Sequence, residues 1–191
     1  MTHSEINWQG YIEASPIEPH RTAKIAARLL AERATTVQCL DIGSGNGRDA
    51  RFLAACGFDV VAVDSSPAAV VANQAGLSLV ECDVVDYPLS LYDIINASLV
   101  LPFLPKTRFL ELWPKLLTSL KVDGVIAGHF FGHRDWKVNG SHAWGCDESD
   151  VRQWLEPLQI EWFLSSEGAD LNHLGIEVMK QTIAFVARKK A

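Results

Sequence analysis

The stretch Cys39-Leu40-Asp41-Ile42-Gly43-Ser44-Gly45-Asn46-Gly47-Arg48-Asp49 decides the fold. Its first half is apolar apart from one acid and reads, from Val37 to Ile42, as a buried strand. Its second half places three glycines at the entrance to a helix expected over Gly47 to Ala55, with Phe52 and Leu53 inward and Gly57 as the stop. Glycine allows positive φ and lets a ligand approach bare backbone. Free amides at a helix start can receive an anionic or electron-rich group, such as the carboxylate of an amino acid. A strand that passes through glycines into a helix is where an open α/β sheet binds ligands.

Outward from this corner the chain alternates β-rich runs with helical stretches, the pattern of a parallel sheet wrapped by helices. An amphipathic helix, Arg21 to Arg33, precedes it, and a polar arm over residues 1–20 with Pro16 and Pro19 comes before that as a cover. After it come a strand from Phe58 to Val63, a short helix opening at Ser66-Pro67 and closed by Gly76, and a strand from Leu77 to Glu81. Tyr92 to Ala97 is the fourth strand. A helix follows over Lys106 to Leu120, with a kink or break expected at Pro114. A strand from Gly124 to Phe131, a helix from Asp147 to Leu155, and strands Leu158 to Leu164 and Gln181 to Ala187 complete the set. The last two strands have no helix between them and predict an antiparallel hairpin at one edge of a seven-stranded, otherwise parallel sheet, so residues 21–191 form one α/β domain.

Composition sets the outer limits. The chain has 191 residues, 48% hydrophobic and 21% charged, enough for one good core. A net charge of −6 argues against nucleic acid or an anionic membrane as partner. The start Met1-Thr2-His3-Ser4-Glu5-Ile6 lacks the basic and apolar parts of a secretory signal, and no stretch has the 18 or so apolar residues of a membrane helix. A cytoplasmic location is expected. Cys39, Cys56, Cys82 and Cys146 include no Cys-x-x-Cys pair and read as reduced thiols, with neither disulfide nor metal role. Oligomeric state is left open by the sequence.

A second acid, Asp64, ends Val60-Val61-Ala62-Val63-Asp64 roughly twenty residues beyond the first glycine, a spacing that suits ribose hydroxyls. Capping the next helix is its other use, which Ser65 or Ser66 could also fill. Together the Asp41-Ile-Gly-Ser-Gly-Asn-Gly and Val-Val-Ala-Val-Asp64 segments resemble the nucleotide-binding half of class I S-adenosylmethionine-dependent methyltransferases, a Rossmann-like, doubly wound family. The phrase Asn-Gly-Arg-Asp-Ala-Arg-Phe-Leu-Ala is similar to the small tellurite-resistance-type subgroup. The resemblance implies S-adenosyl-L-methionine as cofactor. It implies Asp41, Gly43 and Ser44 at the methionine end, Gly45 and Gly47 in the turn, and Asp64 with Ser65 at the ribose. Asp83 would accept from the adenine amino group while the Val84 amide faces a ring nitrogen, and Asn96 and Ala97 would lie at the substrate mouth. A solvated turn carboxylate is the plain alternative for Asp83.

The implied reaction transfers a methyl group to a small-molecule acceptor by in-line displacement, which makes alignment the protein's main task. A base is optional; His129 and His133 are the candidates, since the segment from His129 to Trp144 is expected to wall the acceptor site. A nicotinamide-dependent oxidoreductase would share the glycines and the ribose acid, but its fingerprint wants a small residue where this chain has Arg48. A non-catalytic S-adenosylmethionine-binding protein is the other alternative.

Overall fold

Strands buried on both faces send successive side chains into two different layers, and β1 (Gln38–Ile42) does so. Cys39 joins a core with Ala26, Ala50 and Leu53 of the helices on one side, whereas Leu40 and Ile42 join Phe109, Leu112 and Phe130 on the other. The computed structural model describes residues 7–66, 74–172 and 174–190. Its strands β2 (Asp59–Asp64), β3 (Leu77–Glu81), β4 (Tyr92–Ala97), β5 (Leu120–Phe131), β6 (Gln159–Leu171) and β7 (Glu177–Arg188) join β1 in a seven-stranded sheet of order β3-β2-β1-β4-β5-β7-β6. Only β7 runs antiparallel to its neighbours β5 and β6.

Helices α1 (Trp8–Glu13), α2 (Arg21–Leu30) and α3 (Arg48–Ala55) precede or follow β1. Those of the second half are α4 (Lys106–Thr118), the short α5 (Trp136–Asn139) and α6 (Glu148–Trp154). Helices α2 and α3 cover one face through Ala27, Leu30, Leu53 and Ala54, and α4 and α6 cover the other through Phe109, Trp113, Val151 and Leu155. Strand order reverses between β1 and β4, so the loops at their C-terminal ends diverge and leave a crevice, as open α/β sheets do.

The expected hairpin and parallel sheet are present, as are the expected helices that fall on described residues, with shifted ends. Pro114 lies inside α4, which runs through it as one element instead of breaking. Its face of Phe109, Leu112, Trp113 and Leu116 is fully packed, and that burial outweighs one lost backbone hydrogen bond. The final strands are longer than their apolar cores suggested, because the β6–β7 ladder continues to Leu171↔Glu177 after β5 has ended opposite Thr182. Helix α6 starts with a capping box in which Asp147 and Asp150 satisfy each other's backbone amides. The helix expected to open at Ser66-Pro67 falls mostly on residues 67–73, outside the described residues; the left-handed Gly76 that should follow it has φ +75°.

Candidate functional site

The side-chain alternation that builds the two cores also gathers polar groups. Asp41 and Asn96 are register partners on β1 and β4, pointing to the α2/α3 face, and His129 of β5 points the same way further up. Asp49 enters this layer from the first turn of α3. Asn96 Nδ2 donates to Asp41 Oδ1 (2.7 Å) and to Asp49 Oδ2 (3.0 Å), tying two buried acids through one amide. Asp49 also accepts from the His20 backbone amide (2.8 Å) and ring Nδ1 (2.9 Å) at the start of α2. The Arg48 guanidinium, which can only donate, meets His20 Nε2.

Burial dominates the electrostatics here. It raises the Asp41 pKa well above the usual carboxylate range, and the neighbouring Asp49 charge adds to the shift against the Asn96 hydrogen bond. For Asp49 burial acts in the same direction, but hydrogen bonds from His20 and its charge outweigh it and hold that acid low. The negative charge of the pair therefore resides on Asp49. His129, whose ring centroid is 5.0 Å from that of His20, is pushed down to about 3, by burial first and then by His20.

The glycine turn corrects one expectation. Its amides are not free: Gly43 and Ser44 donate to the Val63 carbonyl (2.8 and 3.2 Å), Gly45 to Asp64 Oδ2 (2.8 Å) and Gly47 to the Ser44 carbonyl (2.8 Å). The turn is pinned to the end of β2, and Asp64 is part of the pin, its other oxygen accepting from Ser66 N (2.8 Å). Gly43 is obligatory for a second reason. At φ +66° any Cβ would lie 2.3 Å from Val100 Cγ2.

Above the turn is a cleft of about 1250 Å³. Asp41, Gly43, Ser44, Gly45, Asp64, Ser65, Asp83 and Val84 all line it, while Gly47, Asn96 and Ala97 lie behind its wall. Asp83 also accepts from Val85 N (3.0 Å), so its turn role and its cleft position coexist. Leu99, also on the wall, has the left-handed φ of 57°, uncommon for a side-chain-bearing residue and typical of functional loops. The arm forms the roof, with Trp8, Tyr11 and Ile12 over the opening. Trp8 meets Tyr11 and Phe103 edge-on, with centroids 5.9 and 5.0 Å away, and Asn46 Nδ2 clamps the Ser15 and Pro16 carbonyls (both 3.1 Å).

Neither His129 nor His133 lines the cleft; among the described residues the histidine that does is His20. His133 is largely exposed, 3.8 Å from Asp147. The expected wall from His129 to Trp144 is likewise absent from the cleft, because its groups are used in packing. Trp144 Nε1 donates to the Leu104 carbonyl (2.8 Å) with its ring against Phe109 and Phe130, and Arg134 pairs with Glu167. The arm occupies that place instead. His20 and Asp49 escaped the sequence reading, although an acid on the inward side of a helix containing Phe52 and Leu53 was a usable signal.

This chain belongs to the methyltransferase-domain family, whose sequence profile matches residues 16–174. Among individual proteins, TehB from Haemophilus influenzae shares the fold with a TM-score of 0.70 at 17% identity, over 90% of this chain and 62% of that one. N-methyltransferase NodS from Bradyrhizobium japonicum, solved in complex with S-adenosyl-L-homocysteine, has a TM-score of 0.70 at 16% identity, over 97% of this chain and 100% of that one. Hemagglutinin 1 of Eikenella corrodens is 34% identical over 148 residues, 73% of this chain and 49% of that protein. The chain thus spans about half the length of the curated relative it matches.

Proposed function

We propose that the cleft binds S-adenosylmethionine and that the chain transfers its methyl group to a small-molecule acceptor held beneath the arm. The observation that carries this reading is the single continuous wall formed by Asp41, the glycine turn, Asp64 and the Asp83–Val84 loop. The residues fit the cofactor. Asp41 Oδ2 and Ser44 Oγ are buried without hydrogen-bond partners where its amino-acid end belongs. Each carboxylate oxygen can accept more than once, so Asp64 keeps acceptor capacity for ribose hydroxyls beyond its backbone ties. Asp83 and the Val84 amide are left for the adenine edge.

When bound, S-adenosylmethionine supplies an already activated methyl group on its sulfonium. The protein's work is then alignment and exclusion of water. Trp8, Tyr11 and Phe103 give the roof three ring surfaces against which an acceptor of modest size can be held. Calorimetry with S-adenosylmethionine, S-adenosylhomocysteine and NAD tests the binding. Micromolar binding of the first two without NAD is expected, and NAD binding with no response to the sulfonium overturns the reading. Incubation with a metabolite panel, followed by assay of S-adenosylhomocysteine, separates an enzyme from a binding protein that never turns over.

A further inference from the structure

The cleft is larger than one ligand requires. Its volume of about 1250 Å³ exceeds the roughly 300–1,000 Å³ of a typical small-molecule site, and the nucleoside wall of Asp64, Asp83 and Val84 accounts for only part of its lining. Another part is formed where the arm faces the 3₁₀ turn Leu101–Phe103, by Trp8, Val100, Phe103 and Leu104. Trp8 lines the cleft yet stays 40% exposed, so it has ring surface to give to a guest. Tyr11 and Phe103 meet it edge-on, at 82° and 83°, and neither is stacked on it. Rings held in this way favour a flat apolar guest.

Beside the rings the charges do not balance. Burial raises the Tyr11 pKa and the Arg48 charge opposes it, which puts the guanidinium next to the ring cluster; Arg48 also donates to the Pro16 carbonyl of the arm (3.3 Å). Burial lowers the pKa of Arg48 itself, and the Asp49 charge works against that, but Asp49 already offsets the charge of His20. Asp41 is kept neutral by its own burial. Of the other charged groups on the lining, Glu13 and Arg51 are one of each sign, and Asp64 and Asp83 belong to the nucleoside wall. The arm end is thus left with a cation in excess, and a sulfonium ligand, whose ammonium and carboxylate cancel, adds another. Charge held partly away from water calls for a counter-charge. Resting on the cofactor reading above, we propose that the methyl acceptor is a planar aromatic anion, its ring held by Trp8 and Phe103 and its negative group turned to Arg48. In the transfer an acceptor lone pair forms the bond to the methyl carbon while the carbon–sulfur pair returns to sulfur, and any proton on the attacking atom passes to water.

The test uses protein saturated with S-adenosylhomocysteine, whose own binding is measured first by calorimetry. Benzoate, 2-naphthoate and anthracene-2-carboxylate are then titrated, followed by the amide and the ring-saturated acid that correspond to the tightest binder. At least one aromatic carboxylate should bind saturably, with its amide weaker by ~10-fold and its saturated counterpart by ~3-fold or more. Trp8→Leu should erase the preference for the flat ring and keep that for the acid, and Arg48→Gln should do the reverse. Both variants should hold S-adenosylhomocysteine within about twofold of the parent. No binding of any carboxylate, equal binding of acid and amide, or preferences that neither variant alters overturns the proposal. So does an Arg48→Gln variant that loses S-adenosylhomocysteine as strongly as the probe, since the guanidinium would then serve the cofactor. Among metabolites tested for turnover, those methylated should be aromatic anions, and turnover confined to neutral or aliphatic acceptors overturns the assignment. A parent that fails to bind S-adenosylhomocysteine overturns the cofactor reading instead, before any probe is added.

Discussion

The two ends of β4 carry the same kind of group in opposite conditions. Near its start Asp93 is buried, yet both oxygens are matched: Arg33 Nη1 at 2.5 Å, Lys121 Nζ at 2.8 Å and the Gln38 amide at 2.9 Å. Near its end Asn96 joins two buried acids to each other, with one Asp41 oxygen left over. Burying a charge is tolerable only with good partners. The lower end has them all from the chain itself, so it is structural. The upper end is incomplete by the same accounting.

Removing Asp93 should therefore have the largest effect on folding and none on the cofactor. Asp93→Ala strands Arg33 and Lys121, and a loss of about 3 kcal/mol is expected by denaturant titration, near the low end for a broken buried pair because both cations are part-exposed. S-adenosylhomocysteine affinity should be unchanged; an equal loss there would erase the contrast between the two ends. At the upper end, Asp64→Ala should weaken S-adenosylhomocysteine by roughly 1.5–3 kcal/mol, at a folding cost of only ~1 kcal/mol for the released Gly45 and Ser66 amides. Unchanged affinity in that variant would reduce Asp64 to a clamp on the turn. The smallest effect is one of pH. Unfolded His129 takes up a proton below about 6.5, whereas the folded residue does so only near 3, so stability falls as pH falls through that window. The parent should lose ~1 kcal/mol between pH 6.5 and 5.5 that His129→Leu does not lose. Identical pH profiles would mean that this ring is solvated.

What the sequence disclosed was what its neighbours in the chain could disclose. Asp41, the glycines and Asp64 declare themselves because a strand, a turn and the next strand end are linked by short spacings, and the structure brings them to one wall. The Asp49–His20 contact spans 29 residues and the Asp49–Asn96 contact 47, distances at which no periodicity survives. The segment from His129 to Trp144 misled in the opposite direction. Its histidines, tryptophans and Arg134 are rich in chemistry, but Asp135 accepts from the Lys137 and Gln181 amides, Lys137 lies over the Phe131 ring and Arg134 pairs with Glu167, so these groups are spent on neighbouring elements. Composition shows which groups can act. Only packing shows which are left with something to do. The added hairpin length was hidden for a related reason: beyond Leu164 the strand faces solvent on both sides and carries no apolar alternation.

Strand order also dictates an order in time. Because β7 is inserted between β5 and β6, the seventh strand to leave the ribosome is the one that must enter the sheet before the sixth can belong to it. Until residues 177–188 emerge, β5 waits with one edge bare from Val125 to Phe131, and β6 has no partner at all. An unprotected edge of that length is a template for other chains. The nascent protein is thus most exposed to misassembly in the interval between its sixth and seventh strands, and a chain truncated before Gln181 would be held in that state permanently.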